Sequence, residues 1–418
     1  MSGSNIRKRK KILCAVMVMM LAAGSGFMGV RKFVTRDRSI NVADGYEPVS
    51  GTAETGSADS GRFSIDAKSA VLIDGSSGRV LYEKDPYKHL PPASVTKVMT
   101  LLLVMEACSS GKISLDDSVT VSERAAGMGG SQMYMEPGEQ HTVRELLKGV
   151  IMVSANDGCV ALAEYVSGSV EEFVDAMNSR AGKMGLENSH FVNTNGLPVA
   201  DHYSCAYDIG MISRELIKYE EARKWFTTWQ DTVKVGLPGK KHDFTLTNTN
   251  KLIRSYNGAT GIKTGFTQDA GYCLSGSATR GQTSMIGVVL GCKTSKIRFA
   301  EMSKLLDYGF ASYETVKIAK AGSRIRCIDV SKGEETSVYA VTKDDAGVTV
   351  KKGSAGKVKK KIYVEPSLTA PVKKGEKIGT ITVYEGSKKA GEYALEADRS
   401  IAKAGFMTTY IRMIKKLA

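Results

Sequence analysis

The sequence contains no Cys-x-x-Cys, no His-x-His and only five histidines, scattered at His89, His141, His190, His202 and His242. Metal sites built on closely spaced ligands are thereby excluded, and neither a metal nor a cofactor is expected. Cysteine is sparse: beyond Cys14 there are Cys108, Cys159, Cys205, Cys273, Cys292 and Cys327. An even number permits disulfides. Cys108 and Cys159, however, lie in apolar helical patterns and Cys273 and Cys292 in apolar strand patterns, which suits buried free thiols. There is no internal repeat and no low-complexity tract. The middle of the chain also lacks positive charge. The formal net charge is +14 over 418 residues, yet residues 1–38 hold nine Lys/Arg against one Asp, and residues 316–418 hold 22 Lys/Arg against 11 acidic residues. The ends therefore carry +8 and +11, which leaves residues 39–315 near −5. No basic groove runs through the body, so nucleic acid is excluded as a partner. Ends of this charge suit an anionic surface.

One end has a further reading. Five basic residues, Arg7 to Lys11, precede an uncharged, mostly apolar run from Leu13 to Val30. That pairing marks an exported chain, and residues 1–35 are read as a signal peptide or signal anchor. Ala22-Ala23-Gly24-Ser25-Gly26 offers small residues for cleavage, while the same 18 residues, if retained, are just long enough to span a bilayer. Cys14 lies too close to the basic run to make a lipidated N-terminus. Residues 36–63, rich in Ser, Gly, Ala, Thr and Asp, read as a flexible linker.

Order is expected from about Phe63. Ala70–Asp74, a Gly75–Gly78 turn and Arg79–Tyr82 form a hairpin signal. Pro91-Pro92 then opens a helix whose apolar residues lie on every side, the mark of a buried central helix. Helical periodicity continues over Val143–Ala155, Gly158–Ser167, Val170–Met184 and Ala206–Tyr219. The period then switches: Gly261–Phe266, Tyr272–Ala278 and Ser284–Cys292 read as an antiparallel meander, closed by a helix over Ile297–Tyr308. Residues 64–315 are thus an α/β (α+β) domain with a central antiparallel sheet and a helical block. Residues 316–398, with short apolar runs between Gly/Lys/Asp turns, predict a small all-β domain. Residues 399–418 predict an amphipathic helix with Phe406, Tyr410, Met413, Ile414 and Leu417 on one face and Lys403, Thr409, Arg412 and Lys416 opposite. Such a helix either docks on its own domain or lies on an anionic membrane surface, and its cationic face favours the membrane.

Three short motifs carry the chemistry: Ser94-Val95-Thr96-Lys97, Ser154-Ala155-Asn156 and Lys263-Thr264-Gly265. Each is weak alone, but their order and separations are hard to obtain by accident. Ser94 and Lys97 share a helix face at i and i+3. A serine hydroxyl needs a base within hydrogen-bond reach, and a desolvated lysine beside other cations loses its proton readily enough to serve. Ser154 can relay a proton to a leaving amine. The Asn156 amide can fix Lys97 and bind a substrate amide. Lys263 adds positive charge, Thr264 offers a hydroxyl to a substrate carboxylate, and Gly265 permits close approach of a substrate backbone. The N–H groups of Ser94 and Phe266 would form an oxyanion hole.

This triplet, in this order, is that of penicillin-binding proteins and class A β-lactamases. Longer blocks sharpen the likeness: Pro92–Lys97, Gly130–Glu139, Ser154–Gly158, His190–Pro198, Gly261–Thr267 and Leu305–Gly309. Over residues 64–415 the chain resembles the serine-type D-alanyl-D-alanine carboxypeptidases, the low-molecular-mass penicillin-binding proteins of the S11 peptidase family, and within them the DacF-like branch. The resemblance implies a penicillin-binding/β-lactamase-like catalytic domain. Ser94 would be the nucleophile and Lys97 the acylation base, with Ser154, Asn156 and Lys263 completing the proton and charge network. Arg298 would help to hold the terminal carboxylate of the substrate. Some relatives carry His after the Lys-Thr-Gly, where this chain has Phe266, which keeps the backbone donor. The implied partners are the peptidoglycan pentapeptide and β-lactam antibiotics. The implied location is the outer face of the cytoplasmic membrane, on the cell wall side.

The alternatives separate on particular features. A class A β-lactamase deacylates with a Glu, and no Glu-x-x-Leu-Asn occurs between Asn156 and Lys263. A non-catalytic wall-binding protein would show a broken motif, and none is broken. A DD-endopeptidase acting on cross-links is not distinguished by sequence.

Overall fold

The computed structural model describes residues 63–417. The predicted leader, and the predicted linker apart from Phe63, lie outside the described residues.

The first hairpin is β1 (Ser69–Asp74) and β2 (Val80–Lys84). A helical block follows: α1 (Lys97–Ser109), α2 (Val143–Met152), α3 (Asn156–Ser167), α4 (Val170–Lys183) and α5 (Ala206–Leu216). Two small antiparallel pairs edge it, β3 (Ser118–Thr120) with β4 (Gln140–Thr142), and β5 (Gln230–Val235) with β6 (His242–Thr247). The meander is β7 (Ala259–Thr267), β8 (Gly271–Arg280) and β9 (Thr283–Cys292), and α6 (Ser295–Ser312) closes the domain. The hairpin and the meander join in one sheet of order β2-β1-β9-β8-β7, so β7 is an edge.

All six residues of β1 are buried, which explains its unbroken apolar run. Val71 and Ile73 face the helical block, whereas Ala70 and Leu72 pack with Met302 and Leu305 of α6. The sheet is thus the middle of three layers, and α1 is buried among the helices as its apolar circumference predicted. Among the described residues, every cysteine except Cys108 and Cys327 is buried, and no disulfide forms.

The C-terminal part is all-β. β10 (Tyr313–Ala319) pairs with β13 (Ala346–Lys351). A six-stranded sheet runs β14-β16-β17-β12-β11-β15, built from β11 (Arg324–Ser331), β12 (Ser337–Thr342), β14 (Val358–Val364), β15 (Ser367–Thr369), β16 (Lys377–Glu385) and β17 (Lys388–Ala397). The two parts are clamped by polar contacts at the first hairpin. The buried Asp74 carboxylate accepts from Ser77 N at 2.8 Å and Thr349 Oγ1 at 2.6 Å. Arg79 donates to Thr349 O and pairs with Glu385 at 2.7 Å. A last helix, α7 (Phe406–Leu417), ends the chain. Among the described residues, no helix is long and apolar enough to cross a membrane.

Candidate active site

Ser94 sits in a 3₁₀ turn, Ala93–Thr96, that runs directly into α1. The prolines at 91 and 92 end the extended segment, Ala93 takes φ 48°, and Val95 N closes onto Pro92 O at 3.2 Å. Lys97 is the first residue of α1, on the face that Ser94 shares. Its Nζ lies 2.8 Å from Ser94 Oγ and donates to the carbonyl of Asn195 at 2.6 Å. Lys97 is fully buried, and burial pushes its ammonium down to about 8, although the nearby Cys159 and Asp157 pull it back up.

Ser154 was expected at the end of a continuous helix. Instead α2 stops at Met152, and Ser154 takes φ 66° in the break before α3. This conformation is costly for a residue with a Cβ, and such strain concentrates at functional sites. Asn156 opens α3, and its Nδ2 donates to Gly129 O at 2.6 Å. Ser154 Oγ and Asn156 Oδ1 are buried without any hydrogen-bond partner. Two such atoms in one motif mark a place where a bound polar group completes the network.

Lys263, Thr264, Gly265 and Phe266 follow one another along the edge strand β7. Lys263 is fully buried, and its ammonium is pushed well down by burial and then by repulsion from Lys97. Thr264 Oγ1 meets Thr249 Oγ1 at 2.8 Å. A Cβ on Gly265 would lie 3.0 Å from each of Pro92 O, Ser94 N and Val95 N. The chain's own Ala93–Thr96 turn is therefore what makes the close approach at Gly265, and it sets the Ser94 N–H beside the strand next to Phe266. The Phe266 ring is half exposed and stacks on Tyr272 at 4.3 Å.

Arg298, on α6, is buried behind β7. Its Nη1 donates to Gly265 O at 3.0 Å and Cys273 O at 3.3 Å, and its Nη2 to Ser295 Oγ at 3.2 Å. Two of these three bonds go to backbone carbonyls, one on the Lys-Thr-Gly strand β7 and one on its neighbour β8, so Arg298 ties the two strands together and adds charge behind them.

The first and third motifs meet at Gly265 and Ser94, and Asp157 and Cys159, just past the second, lie near enough to act on the charge of Lys97. Comparison with known proteins identifies the family. The family model of D-alanyl-D-alanine carboxypeptidases matches residues 53–294, and the model of the C-terminal domain of penicillin-binding protein 5 matches residues 313–403. The chain belongs to the D-alanyl-D-alanine carboxypeptidase family. It is 43% identical over 344 residues to the carboxypeptidase DacF of Bacillus subtilis, covering 82% of this chain and 88% of that one. It is 34% identical to DacA of Escherichia coli K12, covering 84% and 87%. The crystal structure of penicillin-binding protein 5 from Haemophilus influenzae aligns with TM-score 0.64 and 34% identity over 82% of this chain and 99% of that one.

This member of the carboxypeptidase family also shows site parts that the three motifs do not reveal. The loop following His190 supplies the acceptor for Lys97, and it does so with a backbone carbonyl. Asn193 Oδ1 accepts from Gly196 N at 2.7 Å and Asn195 Oδ1 from Leu197 N at 3.0 Å, which knots the loop. Thr96 Oγ1 meets His202 Nε2 at 2.8 Å, while His202 Nδ1 accepts from Val192 N at 3.0 Å. His202 is thereby fixed as a neutral donor, and burial, with His190 and Lys97 adding, holds its pKa down at about 4. Asp157 accepts from Met133 N at 2.9 Å and pins the connection between β3 and β4 against α3.

Proposed function

We propose that this chain is a serine D-alanyl-D-alanine carboxypeptidase that removes the terminal D-alanine from peptidoglycan pentapeptide stems and is acylated by penicillin. The observation that carries this is the contact of 2.8 Å between Lys97 Nζ and Ser94 Oγ in a water-poor pocket with a second lysine. The two buried ammonium groups repel, so the pair does not hold both protons at neutral pH without cost. A substrate carboxylate beside Thr264 keeps Lys263 charged and leaves Lys97 as the neutral base. Ser94 Oγ attacks the D-Ala–D-Ala carbonyl while its proton passes to Lys97. The oxyanion is met by the N–H groups of Ser94 and Phe266. Ser154 relays the proton to the departing D-alanine nitrogen, and Asn156 orients the substrate amide. Water then releases the acyl group. Lys97 Nζ has Ser94 Oγ and Asn195 O as its hydrogen-bond partners and no carboxylate, in keeping with slow hydrolysis of the penicillin adduct.

The pH profile tests this. Acylation needs neutral Lys97, so the rate rises with pH and levels off above about 8. Below that it falls roughly tenfold per pH unit. Penicillin acylation and D-alanine release from a pentapeptide, followed by intact mass between pH 6 and 9, are the measurements. A flat profile rules out Lys97 as the base.

The same reading places the catalytic domain outside the cell, held at the membrane by α7. The basic and apolar segments at 7–30 support export. On α7, Phe406 is 84% exposed, and Met407, Tyr410, Ile411 and Ile414 are exposed as well. Arg412 donates to Gly333 O at 2.6 Å and to Glu334 O, which ties the helix to its domain and leaves the apolar side outward. Replacing Ile411 and Ile414 together by Asp is expected to reduce flotation with anionic vesicles at least tenfold. Release from soluble pentapeptide is expected to be unaffected. Equal flotation of the double variant would refute the anchor.

A further inference from the structure

The densest run of charge in the C-terminal domain takes no part in the mechanism. Between Lys351 and Lys361 there are six lysines in eleven positions, and no acidic residue occurs from Ala346 to Val364. Lys351, Lys352, Lys357, Lys359, Lys360 and Lys361 are all exposed, and none forms an ion pair or a side-chain hydrogen bond among the described residues. The neighbouring carboxylates are engaged elsewhere. Glu314 accepts from Gly353 N at 3.0 Å, Glu365 accepts from the Tyr363 hydroxyl at 3.3 Å, Glu385 pairs with Arg79 at 2.7 Å and Glu392 with Lys389 at 2.6 Å. The positive charge of the cluster is therefore left to solvent.

The last three lysines lie on β14, an edge of the six-stranded sheet. Its register sets Lys360 opposite Val383 and Ile362 opposite Ile381, and both partners are buried. Lys360 and Ile362 are nevertheless exposed, as are Lys359, Lys361 and Tyr363 on the other face. The strand thus overhangs the core and is open on both sides. Lysines on an edge strand also deter pairing with another chain. That accounts for Lys359 to Lys361, but not for Lys351, Lys352 and Lys357, which precede β14. The cluster has a direction as well. Val358 pairs with Glu385, which holds Arg79, so this end adjoins the first hairpin. The helix α7 is tied at the opposite end of the sheet, through Gly333 and Glu334. Seven residues of strand span about 23 Å, whereas charges are screened over about 8 Å at physiological salt. With α7 on a membrane, the Lys351–Lys357 end stands clear of the headgroups, on the wall side.

Spacing narrows the kind of anion. Lys359 and Lys361, on one face, stand about 7 Å apart along the strand. Three bonds of an extended chain cover about 3.6 Å, so a three-carbon polyol phosphate repeat, with six bonds, covers about 7 Å. We infer that this lysine cluster docks a linear phosphodiester polymer of a short polyol on the wall side of the membrane. The docked polymer holds the catalytic domain beside wall material independently of α7. The inference takes export from the reading above. It does not depend on the carboxypeptidase chemistry, since no residue of the active site takes part.

Fluorescently labelled poly(glycerol phosphate) and the full chain test it by anisotropy. Binding is expected to saturate and to weaken as salt is raised from about 50 to 200 mM. Lys359→Gln, Lys360→Gln and Lys361→Gln together are expected to weaken it about tenfold and to lower the salt slope by about 2. Arg at the same three positions should keep it. Lys373→Gln, Lys374→Gln and Lys377→Gln together remove the same charge from the same domain and should leave binding unchanged. D-Alanine release from soluble pentapeptide should be the same in every variant. No binding by the unsubstituted chain overturns the inference. Equal losses in the two Gln variants do so too, because they report net charge alone. Self-association of the 359–361 variant with polymer binding intact makes the lysines edge guards and overturns it. So does flotation with anionic vesicles that falls as steeply in that variant as polymer binding, because it places the cluster on the membrane.

Discussion

A Ser94→Ala protein is expected to release D-alanine at least a thousandfold more slowly than the unsubstituted chain and to gain no mass from penicillin. The size follows from the geometry. Lys97 has one side-chain hydroxyl within reach, that of Ser94, and its other partner is a carbonyl that has no proton to give. Removing Oγ leaves the base, the oxyanion donors and the binding groups in place but removes the atom that forms the bond. Losses of about 10³-fold or more are the rule when the nucleophile of such a unit is removed. The fold should be untouched. Ser94 is only partly buried, and Lys97 keeps Asn195 O, so no buried charge is stranded. Thermal melting should therefore match the unsubstituted protein within a degree or two. Intact mass after incubation with penicillin gives the result directly. An adduct that persists in Ser94→Ala would place the nucleophile elsewhere.

The motifs were legible because their chemistry sits in side chains at short spacing. Ser94 and Lys97 are three apart on one helical start, and Lys263 to Phe266 are consecutive on one strand. The central sheet was legible in the same way, through apolar runs that are buried on both faces in β1, β8 and β9. What the sequence hid falls into three kinds. Backbone groups leave no signature, so Asn195 did not announce that its carbonyl would hold Lys97. Local conformation against propensity is also silent: the apolar period of α2 ran on through Ser154, while the chain turns there at φ 66°. The third kind is polar elements. The β5–β6 pair buries only Val233 and Val235 on one strand and Leu246 on the other, which is too little alternation to read as a hairpin. Arg298 entered only through the family resemblance, and its separation of 33 positions from Gly265 concealed that its guanidinium serves the strand's own carbonyl.

Gly196→Ala is expected to damage the site more than any other single methyl group added to the chain outside the three motifs. Gly196 takes φ +84°, and an added Cβ would lie 1.9 Å from Ala93 O, 2.4 Å from Ala93 C and 2.7 Å from Thr96 Oγ1. Each of those atoms belongs to the turn that carries Ser94; the two Ala93 backbone atoms cannot move without moving the turn, and Thr96 Oγ1 can rotate away only by giving up His202 Nε2. The alternative is for the loop to withdraw. That breaks the bond from Gly196 N to Asn193 Oδ1 and takes Asn195 O away from Lys97. Either adjustment uncouples Ser94 from its base, so penicillin acylation is expected to fall at least a hundredfold. Stability is expected to fall by about 3 kcal/mol, the backbone strain adding to the overpacking. Gly168→Ala separates the two contributions, because Gly168 has a nearly identical φ of +87° but open space around its Cβ. That variant should lose about 1 kcal/mol and none of its acylation rate. If Gly196→Ala instead acylates as fast as Gly168→Ala, the loop does not hold the Ser94–Lys97 pair in register, and the contact between Lys97 and Asn195 is incidental to catalysis.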